Sequence, residues 1–197
     1  MNLPNKLTIS RIILSFVIVF ILLFPFQSVG ITIDDWFINE SISLKPTHVI
    51  AGIIFIIAAL TDFFDGKIAR KYNIVTDFGK LVDAIADKVL VNSTLIILSA
   101  LGDVPAIITV IIIARDIIVD SIKMLIGNKG KAVAAIGVAK YKTASLMVGL
   151  TLKLFYDLPF SLFINGISDV LLIIASVLSI ISGAKYYMMA REYITDK

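Results

Sequence analysis

The chain has no cysteine and a single histidine, His48, among its 197 residues. Disulfides, thiolate metal sites and cysteine nucleophiles are excluded. One imidazole is poor material for a multi-histidine metal site or a Ser-His-Asp triad. Charge is also scarce, at 17% of residues against about 25% in a soluble domain. Apolar residues make up 58% of the chain and the mean hydropathy is +0.97, more than one buried core can absorb. The composition points to an integral membrane protein. Six spans of about 20 residues each use most of the length, so residues 1–197 are expected to form one all-α membrane domain with no separate soluble unit.

Apolar stretches fall near 9–26, 47–64, 88–101, 104–126, 143–160 and 161–184, with breaks at Gly102-Asp103-Val104-Pro105 and Asp157-Leu158-Pro159. The first stretch follows Lys6 and Arg11 and has the basic start of a secretory signal. Five further apolar segments make an uncleaved first span the simpler account. The net charge is only +3, and its distribution is more informative. Lys67, Arg70, Lys71, Lys80 and Lys88 surround the second connection, and Lys123, Lys129, Lys131, Lys140 and Lys142 the fourth. Lys6 and Arg11 mark one terminus, Lys185, Arg191 and Lys197 the other. The alternate connections carry Asp34, Asp35, Glu40, Asp103 and Asp157, with Lys45 and Lys153 as the only basic residues. The positive-inside rule then puts both termini and the basic connections in the cytoplasm of a multi-pass cell-membrane protein. Trp36 and Phe37 read as aromatic-belt anchors on the outer side, and His48 as an interfacial residue. Lys153 is expected to snorkel outward beside Asp157, and Asp169 to cap the last helix or face a subunit contact.

Carboxylates are out of place in such a chain, yet Asp62, Asp65, Asp83 and Asp87 all lie between residues 62 and 87. Asp62, Asp65, Gly66, Ala69 and Arg70 fall within roughly 140° on a helix, and Gly79, Asp83 and Asp87 recur every fourth residue on the next. Two helix ends joined by a short loop therefore present four carboxylates to one another, about 12 Å inward from Arg70 and Gly79 at the deepest. Unpaired, they would repel and be costly to desolvate. An ion-pair network with Arg70 and nearby lysines is one resolution. The other is a pair of hard divalent cations, Mg²⁺ or Mn²⁺, which take all-oxygen ligands, bind substrate phosphates, and clamp both oxygens of a phosphoryl displacement. Gly66 and Ala69 allow close approach to the backbone, and Arg70 can hold a phosphate bidentately.

The pattern Asp62-x₂-Asp65-Gly66-x₂-Ala69-Arg70-x₈-Gly79-x₃-Asp83-x₃-Asp87 resembles the signature of the CDP-alcohol phosphatidyltransferase family at every defined position. It covers 26 residues, and the six-span layout extends the likeness over essentially the whole chain. Pro4-Asn5-Lys6-Leu7-Thr8-Ile9-Ser10-Arg11 is similar to a segment of the family's bacterial phosphatidylglycerophosphate synthases. The resemblance implies that Asp62, Asp65, Asp83 and Asp87 hold two metal ions and that Asp87 is also the general base. It implies a cytidine-diphosphate pocket lined by Asp62, Gly66, Ala69, Arg70, Gly79 and Asp83, with polar contacts from Asn5 and Thr8. It also implies attack of an acceptor hydroxyl on the β-phosphorus of a CDP-linked lipid, departure of CMP, and a homodimer. No nucleic-acid partner is expected.

The acceptor is sought in the fourth and fifth spans. Arg115 lies near the centre of an apolar stretch, and a cation there is costly unless something anionic needs it. With Lys140 and Lys142 it makes a candidate site for a phosphorylated acceptor. Asp116, Asp120 and Lys123 share a face beside it and read equally as local ion pairs. A phosphate-bearing acceptor favours glycerol 3-phosphate over serine, choline or an unphosphorylated lipid glycerol such as phosphatidylglycerol, with CDP-diacylglycerol as donor. A sister enzyme using inositol phosphate is the runner-up. A divalent-cation transporter is the remote alternative, weakened because the carboxylates cluster towards one side.

Overall fold

The computed structural model describes residues 3–38, 42–71, 77–128 and 136–194. Among them are six α-helices: α1 (Leu3–Leu23), α2 (Pro46–Lys71), α3 (Asp77–Ala100), α4 (Ala106–Asn128), α5 (Gly137–Leu154) and α6 (Ile167–Ile194). A small antiparallel hairpin, β1 (Trp36–Ile38) and β2 (Ile42–Leu44), pairs Trp36 with Leu44 between α1 and α2. The hairpin was not expected from the hydropathy pattern, and both Trp36 and Phe37 on it are exposed.

α1 packs along α2 and α3, while α6 packs along α4 and α5. The two three-helix groups meet more narrowly, through α2–α5, α3–α4 and α3–α5. Ile18, Phe55, Leu90, Leu98, Ile112, Leu146 and Leu172 are among the residues that fill the shared core. Small residues set the closest approaches, as in membrane bundles generally. A Cβ at Gly52 would lie 2.7 Å from the Phe155 ring, and one at Gly149 would lie 3.1 Å from Leu172. Outward-facing positions are apolar: Phe16, Ile107, Ile117 and Val170 are all more than half exposed. In water that surface would be an aggregation hazard, whereas hydrocarbon is its natural solvent. Asn5–Leu23 and Ile167–Arg191 are long and apolar enough to cross a membrane by themselves, and Pro46–Asp62 is a shorter apolar stretch. The remaining helices carry more charge, including the residues that build the sites described below.

The Gly102–Pro105 break is a tight turn. Gly102 takes φ +85°, and the Asp103 and Val104 N–H groups return to the Leu98 carbonyl at 2.8 and 3.2 Å. The second break is longer than the hydropathy suggested. α6 begins at Ile167 rather than 161, because the Asp157 carboxylate accepts the Gly166 and Ser168 N–H groups at 3.2 and 2.8 Å. Asp157, not Asp169, thus caps α6. Lys153 pairs with Asp169 at 2.6 Å rather than with Asp157. His48, at the start of α2, is buried within the protein. Its Nε2 lies 3.1 Å from Asp103 Oδ2 and its ring is 5.6 Å from Tyr156, which ties the starts of α2 and α4 to the end of α5.

Candidate active site

The signature residues lie where α2 ends and α3 begins. Asp62, Asp65, Gly66, Ala69 and Arg70 are on α2, and Gly79, Asp83 and Asp87 on α3. The side chains of Asp65, Gly66, Ala69 and Arg70 lie outside the described residues, as does the connection 72–76. Asp62 and Asp83 are both about two-fifths exposed, so their carboxylates are open to solvent on one side. On the other side they converge on one atom. Arg11 Nη1 donates to Asp62 Oδ1 at 2.7 Å and to Asp83 Oδ1 at 2.9 Å. The Arg11 side chain is fully buried between α1, α2 and α3.

The charge pattern alone marks Arg11 as a topological charge, and its contact with the two carboxylates appears only in the fold. Its position one turn beyond Thr8, at the close of the Pro-Asn-x-Leu-Thr-x-x-Arg segment, was the available signal. Thr8 is buried and Asn5 half-buried on the same helix. Among the described residues no three carboxylates already form a metal-holding group, and Asp65 lies outside that set. The donor chemistry still fits a hard cation: two carboxylate oxygens from different helices are held within reach of one positive centre, for which the guanidinium nitrogen stands in.

Asp87, one helical turn beyond Asp83, is half-buried and sits in the field of Asp62, Asp83, Arg11 and Lys142. It also lines a cavity of about 180 Å³ between α3, α4 and α5. Lys88, Arg115, Asp116, Asp120, Lys123 and Lys142 surround that space, giving four cations and three carboxylates including Asp87. Asp116 is shared. Its oxygens accept from Lys142 Nζ at 2.8 and 3.0 Å, and Oδ1 also accepts from Arg115 Nη1 at 2.8 Å. Arg115 Nη2 donates to Ser182 at 2.7 Å, and the guanidinium lies 5.6 Å from the Tyr186 ring. Its buried Nε has no hydrogen-bond partner among the described residues. Gly183 of α6 makes room, since a Cβ there would lie 3.2 Å from Arg115 Cγ. Lys88, read earlier as a topological charge, pairs across the cavity with Asp120.

The three expected acceptor contacts do not all converge. Arg115 and Lys142 share the cavity, whereas Lys140 is exposed and does not line it. Residues two apart on a helix point roughly 200° from each other, so one lysine of that pair had to face away. Asp116 makes the local ion pair that was one of its two expected readings. Lys123 lies 5.1 Å from the Tyr186 ring.

Residues 1–181 match the CDP-alcohol phosphatidyltransferase family. The CDP-diacylglycerol–glycerol-3-phosphate 3-phosphatidyltransferase of Bacillus subtilis (strain 168) is 38% identical over 186 residues, covering 94% of this chain and 93% of that one. The protein of the same name from Rickettsia bellii (strain RML369-C) is 34% identical over 193 residues, 98% of this chain and 97% of the relative. A probable phosphatidylglycerophosphate synthase of Mycobacterium tuberculosis (strain ATCC 25618 / H37Rv) is 38% identical over 146 residues, 74% of this chain and 68% of the relative.

Proposed function

The chain belongs to the CDP-alcohol phosphatidyltransferase family, and on that premise we propose that it transfers the phosphatidyl group of CDP-diacylglycerol to glycerol 3-phosphate, releasing phosphatidylglycerophosphate and CMP. The observation that carries the acceptor assignment is the shared cavity: Asp87 opens into the same space as Arg115 and Lys142. An acceptor with its phosphate on the two cations has its hydroxyl end towards the carboxylate cluster. The cavity, about 180 Å³, is below the roughly 300–1,000 Å³ of drug-sized pockets and suits a three-carbon phosphomonoester. One carboxylate, Asp116, offsets only part of the positive charge on Arg115 and Lys142, and the orphaned Arg115 Nε is a further donor for an anion.

Asp87 takes the proton from the acceptor hydroxyl as its oxygen attacks the β-phosphorus. A P–O bond forms there as the bond to the departing CMP breaks. Asp62, Asp83, Gly66, Ala69, Arg70 and Gly79 would bind the cytidine diphosphate, as the family resemblance implies, with Asn5 and Thr8 of α1 contributing polar contacts. Asp62, Asp65, Asp83 and Asp87 would hold two divalent cations, Mg²⁺ or Mn²⁺, which supply positive charge for the diphosphate and the leaving group. All six helices span the cell membrane with both termini in the cytoplasm, so water-soluble acceptor and product exchange on that side. The apolar outer surface and the acidic and basic alternation of the connections support this topology. A homodimer is the assembly that the family resemblance implies.

The test is an acceptor panel with purified protein, CDP-diacylglycerol and Mg²⁺, followed by CMP release. Glycerol 3-phosphate is the expected acceptor. A clear preference for inositol phosphate, serine, free inositol or phosphatidylglycerol overturns the acceptor assignment and leaves the family chemistry standing.

A further inference from the structure

A charge needed for membrane topology alone has no reason to be buried, and Arg11 is fully buried. A fully buried arginine is costly unless its charge is needed, and Arg11 spends one nitrogen on two carboxylates from different helices. Nη1 lies 2.7 Å from Asp62 Oδ1 and 2.9 Å from Asp83 Oδ1. α1 supplies this nitrogen, while α2 and α3 supply the acids. Without a cation between them, the two carboxylates would repel at the place where α2 and α3 must approach.

We propose that Arg11 is a built-in counter-cation for the metal-free protein. Nη1 holds Asp62 and Asp83 together until a divalent ion takes over their oxygens, so that Arg11 lowers metal affinity while keeping the two carboxylates from repelling each other. The inference rests on the metal reading of the four aspartates given above. Arg11 is thus a positioning residue that acts through Asp62 and Asp83. Two consequences separate it from a merely structural arginine. Its loss is felt most when metal is absent, and its loss tightens metal binding.

The experiment uses the full chain purified in detergent, with Arg11→Gln and Arg11→Lys variants. Mn²⁺ alone is titrated and bound ion is read by electron paramagnetic resonance. Thermal midpoints are measured in EDTA and in saturating Mn²⁺. Arg11→Gln is expected to bind Mn²⁺ about tenfold more tightly, the factor expected when one charge-assisted contact no longer competes. Its thermal midpoint should drop by several degrees in EDTA, and that deficit should shrink markedly in Mn²⁺. Arg11→Lys keeps the charge without the guanidinium fork and should fall between the two. If Arg11→Gln does not fold in EDTA, purification in Mn²⁺ followed by stepwise chelation gives the same comparison, and Arg11→Lys reports independently. Unchanged or weaker Mn²⁺ affinity in Arg11→Gln and Arg11→Lys, with an equal stability deficit in EDTA and Mn²⁺, overturns the proposal and makes Arg11 a permanent brace. Absence of Mn²⁺ binding in the wild type and every variant refutes the metal reading itself, a distinct result.

Discussion

Replacing Lys142 with methionine keeps most of the length and the apolar stem of the side chain but removes its charge. Lys142 is buried, with Nζ 2.8 and 3.0 Å from the two oxygens of Asp116. Breaking a buried pair commonly costs about 3–5 kcal/mol because a charge is stranded. Here Arg115 Nη1 remains 2.8 Å from Asp116 Oδ1, so the cost should be nearer 1–3 kcal/mol, that of an incompletely satisfied acceptor. The thermal midpoint should fall by a few degrees. The catalytic loss is separate. A charge-assisted contact to the acceptor phosphate is worth about 1.5–3 kcal/mol, or roughly tenfold to a hundredfold in kcat/KM for glycerol 3-phosphate. The KM for CDP-diacylglycerol should stay near wild type. Adding Asp116→Asn removes the stranded charge and should restore most of the stability without restoring the acceptor KM. Initial rates of CMP release, with each substrate varied in turn, distinguish the two effects. Recovery of both stability and acceptor KM in the double variant would mean that Lys142 only balances Asp116 and that the acceptor phosphate binds elsewhere.

Asp62→Asn, Asp65→Asn, Asp83→Asn and Asp87→Asn should each lower activity by orders of magnitude in folded protein. EDTA should abolish turnover and Mg²⁺ or Mn²⁺ restore it; full activity in excess chelator refutes the two-ion reading. For topology, Ser28 is exposed and Gly127 has open space for a side chain. In this cysteine-free chain, Ser28→Cys should react with a membrane-impermeant thiol reagent on intact cells and Gly127→Cys should not; the reverse pattern inverts the orientation. The hydrogen bond from His48 holds the Asp103 carboxyl below its usual range, partial burial opposes this, and the charges of His48, Lys45 and Lys153 reinforce it. A lowered folded-state value stabilises the fold above the ordinary carboxylate pKa of about 3.9 and ceases to do so as pH falls through the lower folded value. Wild type should therefore outlast Asp103→Asn on heating at pH 7, with the gap closing below about pH 4. A gap undiminished at pH 3 excludes this linkage.

Much of this architecture is legible in residue order. Six apolar stretches give the six helices in sequence, and Gly102-Asp103-Val104-Pro105 marks a turn because its residue types allow little else. The placement of the four signature aspartates at the α2 and α3 ends follows from helical period alone. Long-range pairing is where that reading stops. Arg11 meets Asp62 and Asp83 only because three helices converge, and no local spacing encodes such a meeting. Asp157 and Asp169 both precede or open α6 in plausible capping positions. The choice between them depends on a loop whose Tyr156 and Asp157 take φ of +57° and +60°, values uncommon for residues other than glycine. Lys140 and Lys142 show the opposite case: helical period alone separates them, with Lys142 at the cavity and Lys140 exposed away from it.

The narrow junction between the two helix triplets has a consequence for rate rather than affinity. If the nucleotide is held by α1, α2 and α3 and the acceptor phosphate by α4 and α5, as proposed above, productive encounter depends on how the triplets are set against each other. That setting is an effective concentration, and misplacement by about 1 Å can cost roughly a hundredfold in turnover. Gly52, where a Cβ would come within 2.7 Å of the Phe155 ring, lies on this junction, about ten residues along α2 from Asp62. A bulkier residue there would tilt one triplet against the other like a wedge under one jaw of a vice. Each substrate would still find its own half intact, and the reacting atoms would no longer meet.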